Sequence, residues 1–201
     1  MKNIILSMAL AVLTAIPAIG QTRIQNCFYG VEIRSSYNEM KNCRELRKVI
    51  NDKYRNFNWM RRHAYDWVNN KEEKVRFSNM SFGGRRWAYC EYYFNDDKTF
   101  YQIRFYDGAK EPQATRRTYD NLLKDLKSKY HGQRGIEMTE DILWEDDLSI
   151  STTFTGNNGM TCELRYSYEA ASSGEMYYYV FLTYYDQKLK KEAKYGWLEE
   201  L

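Results

Sequence analysis

Residues that could support catalysis are few in this chain. The two histidines are His63, which lies in a basic stretch, and His131, which follows a predicted helix. A partly positive imidazole complements the dipole at a helix end, so a structural role is favoured for His131. The spacings typical of a nucleophile elbow, a phosphate-binding loop, a zinc protease or a calcium loop do not occur in the sequence. We therefore predict a protein that is not an enzyme and that uses no cofactor or metal.

Two acidic clusters remain as candidates for acid–base chemistry. They are Asp96-Asp97 and the Glu-Asp-Asp run at residues 145–147. Both fall at predicted turns, where Asp is favoured because its side chain hydrogen-bonds the nearby backbone. A glycosidase brings its two carboxylates together through the fold and not through sequence spacing. An envelope hydrolase with carboxylates assembled in a cleft therefore stays open as an alternative.

The cysteines are Cys27, Cys43, Cys90 and Cys162. None forms a C-x-x-C pair, which disfavours a zinc site or a thioredoxin-like motif. In an oxidising compartment they allow two disulfides with three possible connectivities. All four occupy predicted core-facing positions, which favours cross-links over reactive surface thiols. We favour Cys27 with Cys43, because a strand running antiparallel to the next helix brings them together, and Cys90 with Cys162.

The first twenty residues have the pattern of a secretory signal peptide. A basic start precedes an apolar run at residues 4–13, and the small-x-small sequence Ala18-Ile19-Gly20 follows. A membrane-spanning helix needs roughly 20 apolar residues, and Pro17 ends this run earlier. Cys27 lacks the small-residue context of a lipoprotein. We predict a signal peptide over 1–20, a single domain over 21–201, no membrane span, and a periplasmic or extracellular location.

The composition excludes several classes of protein. The 201 residues are 43% hydrophobic and 28% charged, which is typical of a globular domain and not of a disordered chain. The formal net charge is +3, too small for the strong positive field of a nucleic-acid binder. The unusual feature is the content of 19 Tyr and 5 Trp.

The hydrophobic periodicity predicts helices and antiparallel strands. Ser36 and Glu39 form a capping-box pattern at the start of a first helix, whose apolar stripe continues to residue 54. A second helix lies between Pro112 and Gly132, and a weaker helical pattern covers residues 58–68. Period-two patterns at 87–94 and 99–106 predict a hairpin, and further strands follow near 148–154, 160–166 and 176–185. We predict an α+β fold in which helices pack on one face of an antiparallel sheet.

The predicted hairpin places an aromatic surface on the sheet face opposite the helices. A solvent-facing sheet surface is normally polar. Tyr and Trp provide rigid contact area with a polar tip, which suits a protein partner or a sugar ring. The candidate binding residues on this face are Trp87, Tyr89, Glu91, Tyr93, Phe100, Arg104 and Tyr106. Coverage by another segment of the chain, or burial in a purely structural subunit, is the alternative.

The order of elements also resembles known families. In its order of elements, the chain resembles small exported bacterial proteins of unknown function. The resemblance includes the late strand at residues 180–186 and the pattern Tyr119-x-x-Leu122-x-x-x-Leu126-x-x-Lys129-Tyr130. The chain is also similar to the tandem helix-and-sheet architecture of the β-lactamase-inhibitor-protein type and of the SmpA/OmlA group of assembly lipoproteins. The resemblance implies a binding or assembly role without catalysis, and it assigns no functional residue.

An internal repeat is one way to build such a chain. Residues 45–54 and 121–130 share Leu, two Lys and Tyr at equivalent positions, although amphipathic basic helices resemble one another in any case. Two helix-plus-sheet halves, 27–110 and 111–190, would follow. The sequence thus predicts an exported, non-enzymatic protein that binds a protein or glycan at the bacterial cell envelope.

Overall fold

The computed structural model describes residues 23–51, 58–61, 73–141, 149–170 and 174–195. The predicted signal peptide, His63 and the acidic run at 145–147 lie outside the described residues. The strands are β1 (Cys27–Phe28), β2 (Val31–Glu32), β3 (Asn58–Arg61), β4 (Glu73–Phe82), β5 (Arg85–Phe94), β6 (Phe100–Ala109), β7 (Ile136–Asp141), β8 (Ile150–Gly156), β9 (Met160–Ala170) and β10 (Met176–Asp186). The helices are α1 (Tyr37–Asn42), α2 (Arg44–Asn51), α3 (Pro112–Tyr130) and α4 (Gln187–Tyr195).

Eight of the described strands form one antiparallel sheet in the order β3-β4-β5-β6-β10-β9-β8-β7. The chain therefore builds two four-strand meanders, which join where β6 pairs with β10. Helix α3 connects the first meander to the far edge of the second. Strands β1 and β2 form a separate short hairpin.

Local sequence signals explain where the helices begin and end. The Ser36 hydroxyl accepts the Glu39 N–H at 3.2 Å, and the Glu39 carboxylate accepts the Ser36 N–H at 2.6 Å, which confirms the predicted capping box. Helix α3 begins at Pro112, and Gly132 follows its end with a φ of 73°, as predicted.

The first helix differs from its prediction. The chain breaks it at Cys43, whose extended backbone separates α1 from α2. Residues 58–61, which were predicted to be helical, form strand β3 along the edge of β4 instead. A four-residue strand gains its backbone hydrogen bonds from β4, and this pairing outweighs the weak helical periodicity.

The hydrophobic core of the described residues lies on one face of the sheet, beneath α1, α2 and α3. Helix α3 packs against β6, β9 and β10, and it buries Tyr119, Leu122 and Leu126 there. The β1–β2 hairpin covers the same face, where the Phe28 ring lies 5.0 Å from that of Tyr184. Helix α4 packs on the other face, where Lys190 Nζ lies 3.6 Å from the Tyr185 ring centroid and the Gln187 amide donates to Thr161. The predicted α+β architecture, an antiparallel sheet with helix α3 packed against one face, is thus confirmed, and α4 is the described helix that contacts the opposite face.

The described residues do not support a tandem repeat. The aligned segments fall in an eight-residue helix in the first half and inside a 19-residue helix in the second, and Tyr54 lies outside the described residues. Among the described helices, none is both long and apolar enough to cross a bilayer.

Candidate functional site

The sheet face opposite helix α3 carries a cluster of aromatic residues at the junction of the two meanders. Backbone pairing puts Tyr89 beside Tyr106, Tyr106 beside Phe181, and Tyr179 beside Gly108. Val180 and Leu182 alternate with these β10 residues and point into the core. Helix α4 packs over one end of this sheet face, where it contacts Tyr185, Thr161 and Glu163. We call the rest of the face, around Tyr89, Tyr106, Phe181 and Tyr179, the helix-free face.

Four rings on this face stack across three strands, and we call them the ring ladder: Tyr89, Tyr106, Phe181 and Tyr179. The Tyr89 and Tyr106 centroids are 5.0 Å apart with an interplanar angle of 25°. Tyr106 and Phe181 are 5.7 Å apart, and Phe181 and Tyr179 are also 5.7 Å apart. Such cross-strand aromatic pairs fix one another's rotamers and stabilise the strand pairing.

Arginine side chains lie against the ring ladder. The Arg76 guanidinium is 5.3 Å from the Tyr89 centroid, and the Arg165 guanidinium is 4.9 Å from that of Phe181. Arg104 lies 5.6 Å from Phe181 and 5.2 Å from Tyr93. These are cation–π distances, so planar cations occupy ring faces that would otherwise meet solvent.

A glycine makes room for the end of the ring ladder. A Cβ at Gly108 would lie 2.4 Å from Cε1 of Tyr179, closer than any packed side chain allows. The Tyr179 ring therefore lies directly over the backbone of β6. Only glycine permits this close approach without moving the ring.

A buried carboxylate holds one of the arginines. Glu91 is only 2% exposed, and it accepts hydrogen bonds from Lys74 Nζ at 2.8 Å, from Arg76 Nε at 2.7 Å and from the Tyr93 hydroxyl. Burial alone would raise the pKa of Glu91, but the hydrogen bonds from Lys74 and Tyr93 and the charge of Lys74 lower this pKa below its ordinary value. Glu91 is therefore ionised at neutral pH and fixes Arg76 beside Tyr89.

Two tyrosines of the ring ladder, Tyr106 and Tyr179, stay protonated at physiological pH. Burial, with a smaller effect of the Glu91 charge, raises the pKa of Tyr106 to about 12. Burial also raises the pKa of Tyr179. Their hydroxyls can therefore donate hydrogen bonds to a bound partner.

The exposed part of the face is limited. Tyr89 is 39% exposed, and the other rings of the ladder are half-buried. Of the predicted binding residues, Tyr89, Arg104 and Tyr106 lie on this accessible part. Glu91 and Tyr93 share the face but are buried.

Trp87 does not belong to this surface. Its side chain is fully buried in the helix-side core, 5.8 Å from the Phe105 ring, and its Nε1 donates to the Phe82 carbonyl at 3.1 Å. The cause is an irregularity in the ladder next to Trp87, where the Ala88 N–H donates to the Asp107 carboxylate. Asn79, on the neighbouring strand β4, has a φ of 56° at this point. Met80 and Trp87 pair in the same register as Ser78 and Tyr89, yet both point into the core, so the alternation reverses on both strands and Trp87 points the other way from the prediction.

Phe100 was also assigned to the wrong face. A β-bulge opposite Tyr93 and Phe94 pairs Phe100 with Phe94, and both rings lie in the helix-side core 5.9 Å apart. Tyr101 turns to the helix-free face instead, where it lies 6.4 Å from Tyr93 and is buried.

Sequence reasoning missed half of the ring ladder. Tyr179 and Phe181 come from β10, whose two faces are both apolar, so alternation alone could not orient them. Arg76 and Arg165 gave no signal of their own. Only the pairing of β10 with β6 and β9, and of β4 with β5, brings them to this surface.

The predicted Cys90–Cys162 disulfide is wrong. The two residues lie on β5 and β9, and β6 and β10 run between them. Three strand spacings put the residues about 14 Å apart, twice the separation of about 7 Å that a disulfide tolerates. All four cysteines are free thiols, and burial raises the pKa of Cys162 to about 12.

The remaining candidates for chemistry are not brought together. Asp96 and Asp97 are exposed at the β5–β6 turn, and His131 is exposed after α3. Within the described ranges, no three side chains of His, Cys, Asp or Glu are grouped to hold a metal ion.

Comparison with protein-family models, with curated proteins and with solved structures found no match to this chain.

Proposed function

We propose that this protein is an exported, non-enzymatic binding module of the bacterial cell envelope, which binds an acidic protein surface through the ring ladder and its arginines. Export is inferred from the signal-peptide pattern of residues 1–20. The observation that carries the binding role is an exposed tyrosine at the end of a pre-stacked, arginine-bordered row of rings.

The stacking favours a protein partner over a glycan. A sugar binds an aromatic ring by lying on its face, but here the ring faces contact neighbouring rings or guanidinium groups. Ring edges, hydroxyls and guanidinium edges remain for a partner. Tyr and Arg are the residues that most often dominate protein–protein binding energy. Because the rings already fix one another, little side-chain entropy is lost on binding.

Charge favours a partner with acidic side chains. Neither Arg104 nor Arg165 forms an ion pair with another described residue, and both side chains are half-buried. Carboxylates of a partner would satisfy these donors with charge-assisted hydrogen bonds. Glu91 does not compete for them, because Lys74, Arg76 and Tyr93 already surround its oxygens.

The surrounding surface has the form expected of an interface border. Strand β8 presents Ser151, Thr153 and Thr155 on the helix-free face, paired with polar residues of β9. A polar rim next to an aromatic centre is typical of protein–protein interfaces. The hydrolase alternative has less support, because Glu91 is held as a carboxylate by three donors and has no second carboxylate beside it among the described residues.

The test combines affinity capture with a quantitative binding measurement. The immobilised wild-type protein is incubated with a cell-envelope extract, and a captured protein is purified and titrated by calorimetry. The variants are Tyr89→Ala and Arg165→Gln. The matched control is Val49→Ala, because Val49 is 38% exposed and lies on helix α2, away from the helix-free face.

We expect Tyr89→Ala to weaken binding by roughly 30-fold or more, the effect of a hot-spot residue. Arg165→Gln should weaken it less at high salt than at low salt, because salt screens its interaction with carboxylates. Val49→Ala should bind as wild type does. Equal affinity of Tyr89→Ala and Val49→Ala would overturn the proposal. Binding of the wild type to a glycan array, lost in Tyr89→Ala, would replace the protein partner by a glycan.

A further inference from the structure

Two of the four cysteines, Cys27 and Cys43, lie near the tip of the β1–β2 hairpin. Cys43 Sγ donates to the Tyr29 carbonyl at 3.4 Å, and the Gly30 N–H donates to the Cys27 sulfur. A Cβ at Gly30 would lie 3.1 Å from Cys43 Sγ. The two sulfurs therefore contact the same peptide group, the one between Tyr29 and Gly30, at its two ends.

The position of Cys43 explains how it reaches the hairpin. Its extended backbone breaks the first helix into α1 and α2, and the thiol turns towards Tyr29 at that break. Gly30 has a φ of 81°, which bends the hairpin tip so that Cys27 and Cys43 approach it from its two sides. Both side chains are half-buried, so a small oxidant can reach them, whereas Cys90 and Cys162 are fully buried in the core.

We propose that Cys27 and Cys43 form a redox-dependent disulfide that fastens the β1–β2 hairpin to the α1–α2 junction when the protein meets a disulfide oxidant such as oxidised glutathione. One protein thiolate attacks the oxidant and releases one glutathione thiolate, which leaves a mixed disulfide. The second protein thiolate then attacks the protein sulfur of that bond and releases the other glutathione. The protein loses two protons and two electrons, and one oxidised glutathione becomes two reduced molecules.

The surroundings of the pair are those of a structural fastening and not of a catalytic thiol. Burial raises the pKa of Cys27, and the charges of Glu32 on β2 and Glu45 on α2 and the neighbouring Cys43 raise it further. Cys43 itself donates to Glu45 Oε2 at 3.4 Å. The Cys27 thiolate is therefore scarce at neutral pH, so this sulfur reacts slowly with a disulfide oxidant.

The disulfide would restrain a hairpin that covers the hydrophobic core. Phe28, on strand β1 of the hairpin, is 1% exposed and packs against the rings of Phe82, Phe105 and Tyr184. A disulfide between Cys27 and Cys43 restrains the β1–β2 hairpin in the unfolded chain and in partly opened states.

The experiment starts from protein purified under reducing conditions. One sample is incubated with oxidised glutathione and one with reduced glutathione, free thiols are blocked with N-ethylmaleimide, and the tryptic peptides are analysed without reduction. We expect peptide 24–34 linked to peptide 42–44 in the oxidised sample only, while Cys90 and Cys162 are free in both. The melting temperature of the oxidised wild type should exceed that of the reduced wild type.

A variant separates the pair from other effects of the oxidant. Cys27→Ser/Cys43→Ser should melt at the same temperature in both glutathione solutions. Full alkylation of Cys27 and Cys43 after oxidation, or a link from either of them to a different cysteine, would overturn the proposal. The binding assay on Tyr89 does not depend on this result, so the two proposals fail separately.

Discussion

Replacement of Glu91 by glutamine tests the buried ion network beneath the ring ladder. The change keeps the size of the side chain and removes its charge. Hydrogen bonds to a charged group contribute about 1.5–3 kcal/mol each. Three groups donate to Glu91, but glutamine still accepts from one of them, and the Lys74 and Arg76 side chains, 14% and 30% exposed, can partly rehydrate. We therefore expect a loss of about 3 kcal/mol in the free energy of unfolding at pH 7.

The pH dependence of this loss is the sharper part of the prediction. The folded-state pKa of Glu91 is lowered, so its ionised form stabilises the protein above the unfolded-state pKa of about 4.3. That contribution is lost as the pH falls through the folded-state pKa, where the wild type becomes protonated too. The difference between wild type and Glu91→Gln should thus be full at neutral pH and should shrink below about pH 4.

Urea denaturation of both proteins, at a series of pH values from 3 to 8, measures this difference. The corresponding drop in melting temperature at pH 7 is roughly 6–12 °C for a domain of this size. Glu137→Gln serves as control, because Glu137 is exposed on edge strand β7 and should change stability by less than about 0.5 kcal/mol. A Glu91→Gln loss that is absent at pH 7, or unchanged at pH 3, would refute the reasoning.

Two further substitutions test the packing on either side of the sheet. Trp87→Ala should lower the free energy of unfolding by about 3–5 kcal/mol, because the substitution leaves a cavity at a fully buried site in the helix-side core. Calorimetry would measure this loss. A near-neutral effect would mean that the Trp87 side chain lies at the surface. Gly108→Ala should lower the free energy of unfolding by only about 1 kcal/mol, because the half-buried Tyr179 ring can rotate away from the new methyl group. Chemical denaturation would measure this loss. A loss as large as that of Trp87→Ala would mean that the Tyr179 ring cannot move.

Short-range features of the sequence were sufficient for the local structure. The capping box at Ser36 and the proline and glycine that bracket α3 act within one helical turn, so they predict helix ends without knowledge of the fold. Strict alternation in residues 87–106 likewise predicted the β5–β6 hairpin. Tyr89 and Tyr106 were correctly assigned to the sheet face opposite α3, because they pair with each other in the regular part of the hairpin.

Irregular pairing explains the two residues that were placed on the wrong face. Trp87 lies beyond the irregularity at Ala88, and Phe100 lies beyond the bulge opposite Tyr93 and Phe94. At Phe100 an extra residue of β6 shifts the register, whereas at Trp87 the alternation reverses on both paired strands without a register shift. Both irregularities depend on the partner strand. Periodicity within one strand carries no information about such a shift.

The sequence by itself determined that the chain forms antiparallel strands and amphipathic helices, with an excess of aromatic residues to place on them. The tertiary structure decided that β10 lies next to β6, which adds Phe181 and Tyr179 to the ring ladder and separates Cys90 from Cys162. The pairing of β10 with β6 is determined by the whole set of backbone pairs and core contacts between segments that are distant in the sequence. Local propensity reflects only the nearest residues along the chain, so it cannot select among the possible strand orders.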